Sequence, residues 1–534
     1  MKKEVLLGDE AVALGAVHAG LSAGYSYPGT PASEIMEYLI KVSEDRGEFK
    51  ACWTVNEKVA YEEALGVSFA GKRALVSMKH VGLNVAADPF INSAITGANG
   101  GLMLVVADDP SMHSSQNEQD SRYYSQFAQV FCFEPASHQE AYDMTREAFD
   151  VSEEFGIPVM VRMVTRLSHS RSQVVVRPSR KQNSLQYGAG EDWTLLPVNA
   201  RRRFKILVEK QKELKDFSNT SKFNKLRIDR KNTSLGIIAS GVAYNYVLEN
   251  YPHQEQCPSV LKISTYPLPE RLISQLVNHV DTVLVVEEGY PYIEKTLKGI
   301  FGIHGKNLRG KLTGHLPITG ELSPEEVRRA MAVKPLEKRY QADFHLPSRP
   351  PQLCRGCPHA DTYHALNKAL RPYPRANVFS DIGCYTLGAL PPYQAINSCV
   401  CMGASVGMAK GGADAGVYPS VAVVGDSTFA HSGLTPLLDA AAADTDMTLV
   451  ILDNSTVAMT GGQPTFASGE GLVRMVEGLG VDKKHIRVIE PLPKNLKKNV
   501  QVFEEEISHR GLSVIIAARE CIQEVRKKKR SSNP

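Results

Sequence analysis

The chain is predicted to be an α/β protein built from three doubly wound, parallel-sheet domains. Three observations lead there. At 534 residues the chain exceeds what one hydrophobic core supports and suits about three domains. Short, uniformly apolar runs alternate with helical stretches, the rhythm of parallel strands covered on both faces. Turn residues come directly after the strand ends, where open parallel sheets place their ligands.

The first segment, 1–180, carries the strand candidates Ala74-Leu75-Val76-Ser77-Met78 and Leu102-Met103-Leu104-Val105-Val106-Ala107. Pro28-Gly29-Thr30-Pro31 and Asp108-Asp109-Pro110-Ser111 are its turns and its candidate site loops. Between 181 and 234 the apolar pattern weakens, and Arg201, Arg202, Arg203, Lys205, Lys210, Lys212 and Lys215 mark a basic linker with one exposed helix. A second α/β unit, 235–340, opens with Gly236-Ile237-Ile238-Ala239-Ser240-Gly241 and ends at Thr282-Val283-Leu284-Val285-Val286-Glu287-Glu288. Pro347, Pro350 and Pro351 form a Pro-rich hinge. The third unit, 345–534, holds the strands Val421-Ala422-Val423-Val424 and Thr448-Leu449-Val450-Ile451-Leu452.

Composition narrows the function. With 43% hydrophobic and 22% charged residues the chain is ordinary globular material, and a net charge of +3 implies no nucleic-acid partner. The N-terminus lacks the long apolar core of a signal peptide, and no uninterrupted apolar stretch reaches membrane-spanning length, so a cytoplasmic protein without a membrane role is expected. Nine cysteines, odd in number and unevenly spread, then favour metal, cluster or free thiols over a disulfide framework.

The most chemical stretch begins where Val421–Val424 runs into Gly425-Asp426-Ser427, continuing through a small-residue helix to a strand ending at Asp453-Asn454. This order puts Asp426 and Asn454 at one edge of the sheet, where hard oxygen ligands can hold Mg²⁺ against a diphosphate, with the Thr456 carbonyl as a third ligand. Gly425 is expected to permit a tight turn, and helix N-termini offer N–H groups to phosphates. Taken alone, Gly-Asp-Ser is also an ordinary strand-end turn with a helix cap. Together with Asn454 and Thr460-Gly461-Gly462-Gln463, the array resembles the thiamine-diphosphate motif, with Ser427 in place of its second glycine.

Such enzymes need a carboxylate at N1′ of the aminopyrimidine, where protonation favours the tautomer that removes the thiazolium C2 proton. Asn56-Glu57-Lys58-Val59-Ala60-Tyr61-Glu62-Glu63-Ala64-Leu65-Gly66 is similar to the pyrimidine-domain motif, and Glu57 is the residue that matches. A surface helix glutamate is the plain alternative. Three further segments, Ser26-Tyr27-Pro28-Gly29-Thr30-Pro31-Ala32-Ser33-Glu34, Met78-Lys79-His80-Val81-Gly82-Leu83-Asn84 and His113-Ser114-Ser115-Gln116-Asn117-Glu118-Gln119-Asp120, extend the resemblance over nearly the whole chain. Together they resemble the large subunit of indolepyruvate:ferredoxin oxidoreductases.

That resemblance implies two thiamine-diphosphate-binding domains and a transketolase C-terminal-like domain between them. It implies oxidative decarboxylation of a 2-oxoacid, aromatic by analogy, to an acyl-CoA, and so coenzyme A as co-substrate. A small partner subunit and a hetero-oligomer are expected with it. The threonine of the Pro-x-Thr-Pro loop faces substrate in related enzymes, which carries over to Thr30. His80 and Arg122 are candidates for the substrate carboxylate, against a core histidine and a surface arginine as the plain readings.

Cys354-Arg355-Gly356-Cys357-Pro358-His359 can, by its spacing, bind zinc, exchange disulfides or hold an iron–sulfur cluster. In related ferredoxin oxidoreductases cysteines in similar places hold a [4Fe–4S] cluster, and Cys354, Cys357, Cys384 and Cys521 match that pattern. Cys399 and Cys401 precede Met402-Gly403 at a helix start and are read as packing residues, while Met402 and Gly403 suit close approach to a diphosphate. Cys52, Cys132 and Cys257 are isolated. Relatives commonly continue into a two-cluster ferredoxin segment, whereas this sequence ends in Arg526-Lys527-Lys528-Lys529-Arg530-Ser531-Ser532-Asn533-Pro534, so ferredoxin or another electron acceptor is left open. Two rival readings remain: a non-oxidative thiamine-dependent decarboxylase or ligase, and a non-catalytic subunit with structural zinc.

Overall fold

A computed structural model describes residues 2–186, 190–251, 253, 257–299, 305–334 and 351–531. It divides into two compact units, Met1–Gln341 and Ala342–Pro534. Pro347 and Pro350 of the expected hinge lie outside the described residues.

The first unit contains a seven-stranded sheet ordered Thr265–Tyr266, Phe131–Phe133, Val159–Val164, Leu102–Asp108, Ala74–Lys79, Ala23–Ser26 and Lys50–Trp53. All neighbours are parallel except the first pair. Every residue of the central strand Leu102–Asp108 is buried, which explains a sequence without polar alternation: helices cover both faces. Two helices start on side-chain caps at strand ends. Asn56 accepts the Val59 amide at 2.9 Å for helix Glu57–Phe69, and Ser137 accepts the Glu140 amide for helix His138–Phe155. Helix Gly8–His18 packs against the latter, where a side chain at Gly15 would stand 2.8 Å from the Tyr142 carbonyl.

A second sheet of five strands runs Asn307–Arg309, Thr282–Val286, Leu235–Ser240, Ser259–Ile263 and Lys225–Arg227, antiparallel only at the last. This sheet belongs to the same compact unit as the first, so the expected separate domain is instead tied in. Directly after Ser259–Ile263 the chain crosses to the first sheet, where Thr265–Tyr266 pairs with Phe131–Phe133.

The basic segment also differs from a linker with one exposed helix. Helix Pro197–Thr220 buries Leu207, Leu214 and Ser218 and is docked through its cations. Arg203 donates to the Thr96 carbonyl at 2.7 Å, and Lys210 to the Phe155 carbonyl, both at C-terminal ends of other helices where unpaired carbonyls attract positive charge. The same segment contributes Lys225–Arg227 to the second sheet.

The second unit is a six-stranded, all-parallel sheet ordered Ser398–Cys399, Asn377–Ser380, Ser420–Gly425, Met447–Asp453, Leu512–Ala518 and Ile486–Ile489. Alternate residues of its strands serve two cores. Val421, Val423, Val450, Leu452 and Ile515 pack with Tyr363 and Leu366 of helix Pro358–Ala369 and Phe503 of helix Leu496–Ser508. The intervening Ala422, Val424, Leu449 and Ile451 are equally buried and point to the opposite face. Among the described residues no helix is long and apolar enough to cross a membrane.

Candidate functional site

In the first unit the polar candidates gather at the C-terminal edge of the parallel strands. Glu57 stands at the first turn of its helix, buried to 5% exposure. Its carboxylate lies against Gly82 of helix His80–Thr96, so closely that a Cβ at Gly82 would meet Oε1 at 2.5 Å. A buried carboxylate replaces the surface glutamate alternative. His80 is buried too, with Nε2 3.2 Å from both the carbonyl and the side-chain oxygen of Asn117, and with its Nδ1 unpartnered among the described residues.

Thr30 is half-buried in the loop after Ala23–Ser26, and its carbonyl accepts from Ser114 Oγ at 3.4 Å. Two side chains there carry no signal of their own in the sequence. Lys79 is buried and donates to the Ser114 carbonyl at 2.7 Å, and burial lowers its pKa to about 8 although Asp109 opposes the shift. Asp109 accepts from Ser115 Oγ at 2.6 Å, the Ser114 amide at 2.9 Å and Thr165 Oγ1 at 2.8 Å. Both sit inside segments that the sequence marks as motif or turn; only the fold shows that they close on each other across strand ends.

Arg122 is a correction. It is neither exposed nor open to a ligand: its guanidinium is fully buried, donating to Asp120, to Glu287 Oε2 at 2.9 Å and to the carbonyls of Glu288 at 2.9 Å and Tyr290 at 3.0 Å. Tyr266 and Tyr292 cover it. With its donors committed to protein oxygens, Arg122 holds the two sheets of the unit together and has no N–H directed at a substrate carboxylate.

In the second unit the diphosphate motif occupies the strand-end edge. Asp426 is 3% exposed, with Oδ1 accepting the Ser427 amide at 2.7 Å and Oδ2 buried without a partner among the described residues. Burial first, and the neighbouring Asp453 second, push its pKa well above the usual carboxylate range. An orphaned carboxylate oxygen beside a second carboxylate is an arrangement that a divalent cation relieves, so the donor set fits Mg²⁺. Asn454 is buried, its Oδ1 accepting the Thr456 amide at 3.2 Å and its Nδ2 3.3 Å from His359 Nε2. Thr456 donates its hydroxyl to the Gln463 carbonyl at 3.0 Å.

Gly425 is required for a reason other than a tight turn. Its backbone is extended, and a Cβ there would meet the Tyr385 ring at 2.6 Å. Gly403 does need its conformation: φ is +79°, it caps helix Ala404–Asp414, and a Cβ would lie 2.7 Å from the Ser432 backbone. Met402 precedes it, half-buried. Beyond Asp426–Thr428 the chain makes a π turn over Phe429–Gly433, a distortion that often accompanies functional sites.

The four cysteines come together. Cys354, Cys357, Cys384 and Cys521 line one cavity of about 100 Å³, which also touches His359 and Asn454. Burial, then the other three thiols, raise the Cys384 pKa to about 12. Four converging thiols match the four corners of a cubane. Neutral thiols can share the cavity without repulsion, whereas thiolates there need metal charge. His359 is buried, and burial with nearby Arg519 lowers its pKa to about 4, which keeps it neutral. Cys399 and Cys401 depart from the packing role expected of them, since both are exposed.

Residues 14–193 match the family described as pyruvate flavodoxin/ferredoxin oxidoreductase, thiamine diphosphate binding, and residues 381–517 the C-terminal binding domain of thiamine pyrophosphate enzymes. The chain is 39% identical to the indolepyruvate oxidoreductase subunit IorA of Archaeoglobus fulgidus over 97% of its own length and 86% of that protein, and 39% identical with the same coverage to that of Methanothermobacter marburgensis. The IorA subunit of Pyrococcus abyssi is 36% identical, again over 97% and 86%. Among solved structures, a 2-oxoglutarate:ferredoxin oxidoreductase from Magnetococcus marinus superposes with a TM-score of 0.50 at 16% identity, covering 62% of this chain and 65% of that one, a likeness of fold. By its identity to these subunits along nearly its whole length, the chain belongs to the IorA family of indolepyruvate oxidoreductases, and is a thiamine-diphosphate-dependent 2-oxoacid oxidoreductase subunit.

Proposed function

We propose that this chain catalyses the oxidative decarboxylation of an arylpyruvate such as indolepyruvate, passing electrons through a [4Fe–4S] cluster and its acyl group to coenzyme A. The observation that carries the oxidative part is the cavity lined by Cys354, Cys357, Cys384 and Cys521, which shares His359 and Asn454 with the edge of the diphosphate motif. An electron acceptor beside a decarboxylation site is what distinguishes this reaction from a simple decarboxylase.

Bound thiamine diphosphate supplies the carbon nucleophile and the electron sink for loss of CO₂. Glu57 is assigned the proton at N1′ of the aminopyrimidine, a role suited to a buried carboxylate. Asp426, Asn454 and the Thr456 carbonyl are assigned to Mg²⁺, with Gly425, Ser427, Met402 and Gly403 giving the diphosphate room to approach. Thr30 and His80 are assigned to the 2-oxoacid; Arg122, saturated by Asp120 and Glu287, is not. A small partner subunit, supported by the word subunit in the names of the relatives, and a ferredoxin-type acceptor complete the proposed assembly.

Anaerobic purification and then iron, sulfide and zinc analysis test the reading. About four iron and four sulfide per chain are expected, with thiamine-dependent CO₂ release from indolepyruvate coupled to dye reduction. Zinc in place of iron, or CO₂ release with no dye reduction, overturns it.

A further inference from the structure

Beside the strand-end array of the first unit lies a second cluster of ligating side chains. Asp9 lies near the start of helix Gly8–His18, Glu34 near the start of helix Ser33–Arg46, and His169 at the end of the short helix Thr165–His169. Three sequence-distant elements thus each bring one potential ligand atom to one point, where these atoms lie within 4.8 Å of one another.

Asp9 makes this more than an acidic cluster. Its side chain is completely buried; the Ser168 hydroxyl is beside it, but among the described residues neither carboxylate oxygen accepts a hydrogen bond of ordinary geometry. Glu34 Oε2 is likewise buried and unpartnered, while Glu34 Oε1 sits 3.4 Å from His169 Nε2. No lysine or arginine pairs with Asp9 or Glu34 among the described ion pairs. A buried carboxylate without donors costs several kcal/mol unless a proton or a cation neutralises it. Burial accordingly raises the Asp9 pKa to about 8.

We infer that Asp9, Glu34 and His169 form a binding site for one divalent transition-metal ion. Two carboxylate oxygens and one imidazole nitrogen are the mixed donor set that Mn²⁺ and Zn²⁺ accept, with water completing the shell on the side where Glu34 and His169 are about one-third exposed. Binding exchanges the proton on Asp9 for the ion. The ion's place in the fold gives it a role: Glu34 lies four residues past Thr30 in the chain, and Thr165, at the other end of the His169 helix, bonds Asp109. Bound there, the ion pins the substrate-side loop to the first helix and to the end of strand Val159–Val164.

Mn²⁺ is the probe, since it disfavours the thiols of the cysteine cavity. The full chain is titrated with Mn²⁺ at about pH 8 without thiamine diphosphate, monitored by the loss of free-ion electron paramagnetic resonance signal and by thermal melting. One ion per chain is expected, with a rise in Tm of about 2 °C or more at saturating ion. Asp9→Asn and His169→Gln should each weaken binding at least tenfold, whereas Glu44→Gln, at an exposed carboxylate of the helix that carries Glu34, should leave it unchanged. Asp9→Asn keeps the side-chain shape, and His169 is partly exposed, so at least one of the two variants reports on a folded protein. Absence of binding in the wild type, binding unaffected by Asp9→Asn and His169→Gln, or binding weakened equally by Glu44→Gln overturns the inference and leaves the trio a proton-sharing cluster.

Discussion

The backbone amide of Cys521 donates to the carbonyl of Asn454 at 3.1 Å. One hydrogen bond therefore joins a residue of the diphosphate motif to Cys521, which of the four cavity cysteines is the most remote in sequence from the Cys354–Cys357 pair. The bond arises because strands Met447–Asp453 and Leu512–Ala518 are parallel neighbours whose ends are in register, with Asp453 opposite Ala518. Loops that leave the C-terminal ends of parallel strands emerge at one edge of the sheet, and here that puts the residues proposed for the cluster and for the cofactor side by side.

Because of that bond, Cys521→Ser should lower iron content and dye-coupled turnover together, while the affinity for thiamine diphosphate changes less than about twofold. Cys399→Ser, at an exposed thiol outside the cavity, should leave iron content unchanged. Metal analysis and calorimetric titration on the same preparations check both. Loss of iron in Cys399→Ser but not in Cys521→Ser would move the cluster elsewhere.

Much of this edge is readable in the sequence, for physical reasons that also explain where sequence reasoning fails. Uniform apolar runs such as Leu102–Ala107 announce strands buried on both faces, and a Gly-Asp-Ser at the end of such a run can only lie at the sheet edge. Arg122 reads as a surface or ligand-facing residue because its partners Glu287 and Tyr290 are more than 160 residues away, and local sequence says nothing of where a guanidinium finds its acceptors. The helix Pro197–Thr220 reads as a solvated linker because Arg203 and Lys210 are satisfied by helix-end carbonyls, which leave no trace in composition. Gly425 is legible as a required glycine but not for its true cause, since the Tyr385 ring that demands it lies on the short 3-10 helix Cys384–Ala389, remote in sequence.

Asp426→Asn should abolish Mg²⁺-dependent binding of thiamine diphosphate, weakening it at least a hundredfold, without unfolding the chain. The carboxylate is raised well above its ordinary pKa by burial and Asp453. For an acid whose folded pKa is raised, the folded state holds more protons than the unfolded one, so stability falls as pH climbs above the unfolded value of about 4. In the absence of Mg²⁺ the amide variant should thus melt at or above the wild-type temperature at about pH 7. Calorimetry and melting curves with and without Mg²⁺ decide; unchanged cofactor affinity removes Asp426 from the site.

Glu57→Gln should bind thiamine diphosphate normally and lose turnover by about 10²–10⁴-fold, the range over which a positioned acid or base acts. The isosteric amide preserves the packing against Gly82, where there is no room for a larger group. Exchange of the thiazolium C2 proton, measured by NMR, isolates the step. Wild-type exchange in the variant assigns the role to another carboxylate, Glu62 being next on the same helix.

Lys79 offers a test of the loop at the first unit's strand edge by pH alone. Its ammonium is buried, and its pKa falls to about 8 because desolvation outweighs the attraction of Asp109. For a base whose folded pKa is lowered, the unfolded chain binds more protons between about pH 8 and the ordinary lysine value of about 10.4, and stability rises with pH across that window. Below about pH 8 the burial of the charge is a standing cost. Lys79→Met removes that cost but also the hydrogen bond to the Ser114 carbonyl and the charge facing Asp109, losses of about 1–3 kcal/mol. The difference in stability between variant and wild type should therefore move in favour of the wild type as pH rises from about 8 to about 10, a shift of up to about 3 kcal/mol. Denaturant melts at pH values from about 7 to about 10 measure it directly. A difference independent of pH over that range would mean that Lys79 keeps an ordinary pKa, and that the loop carrying Ser114 and Ser115 stands open to water in solution.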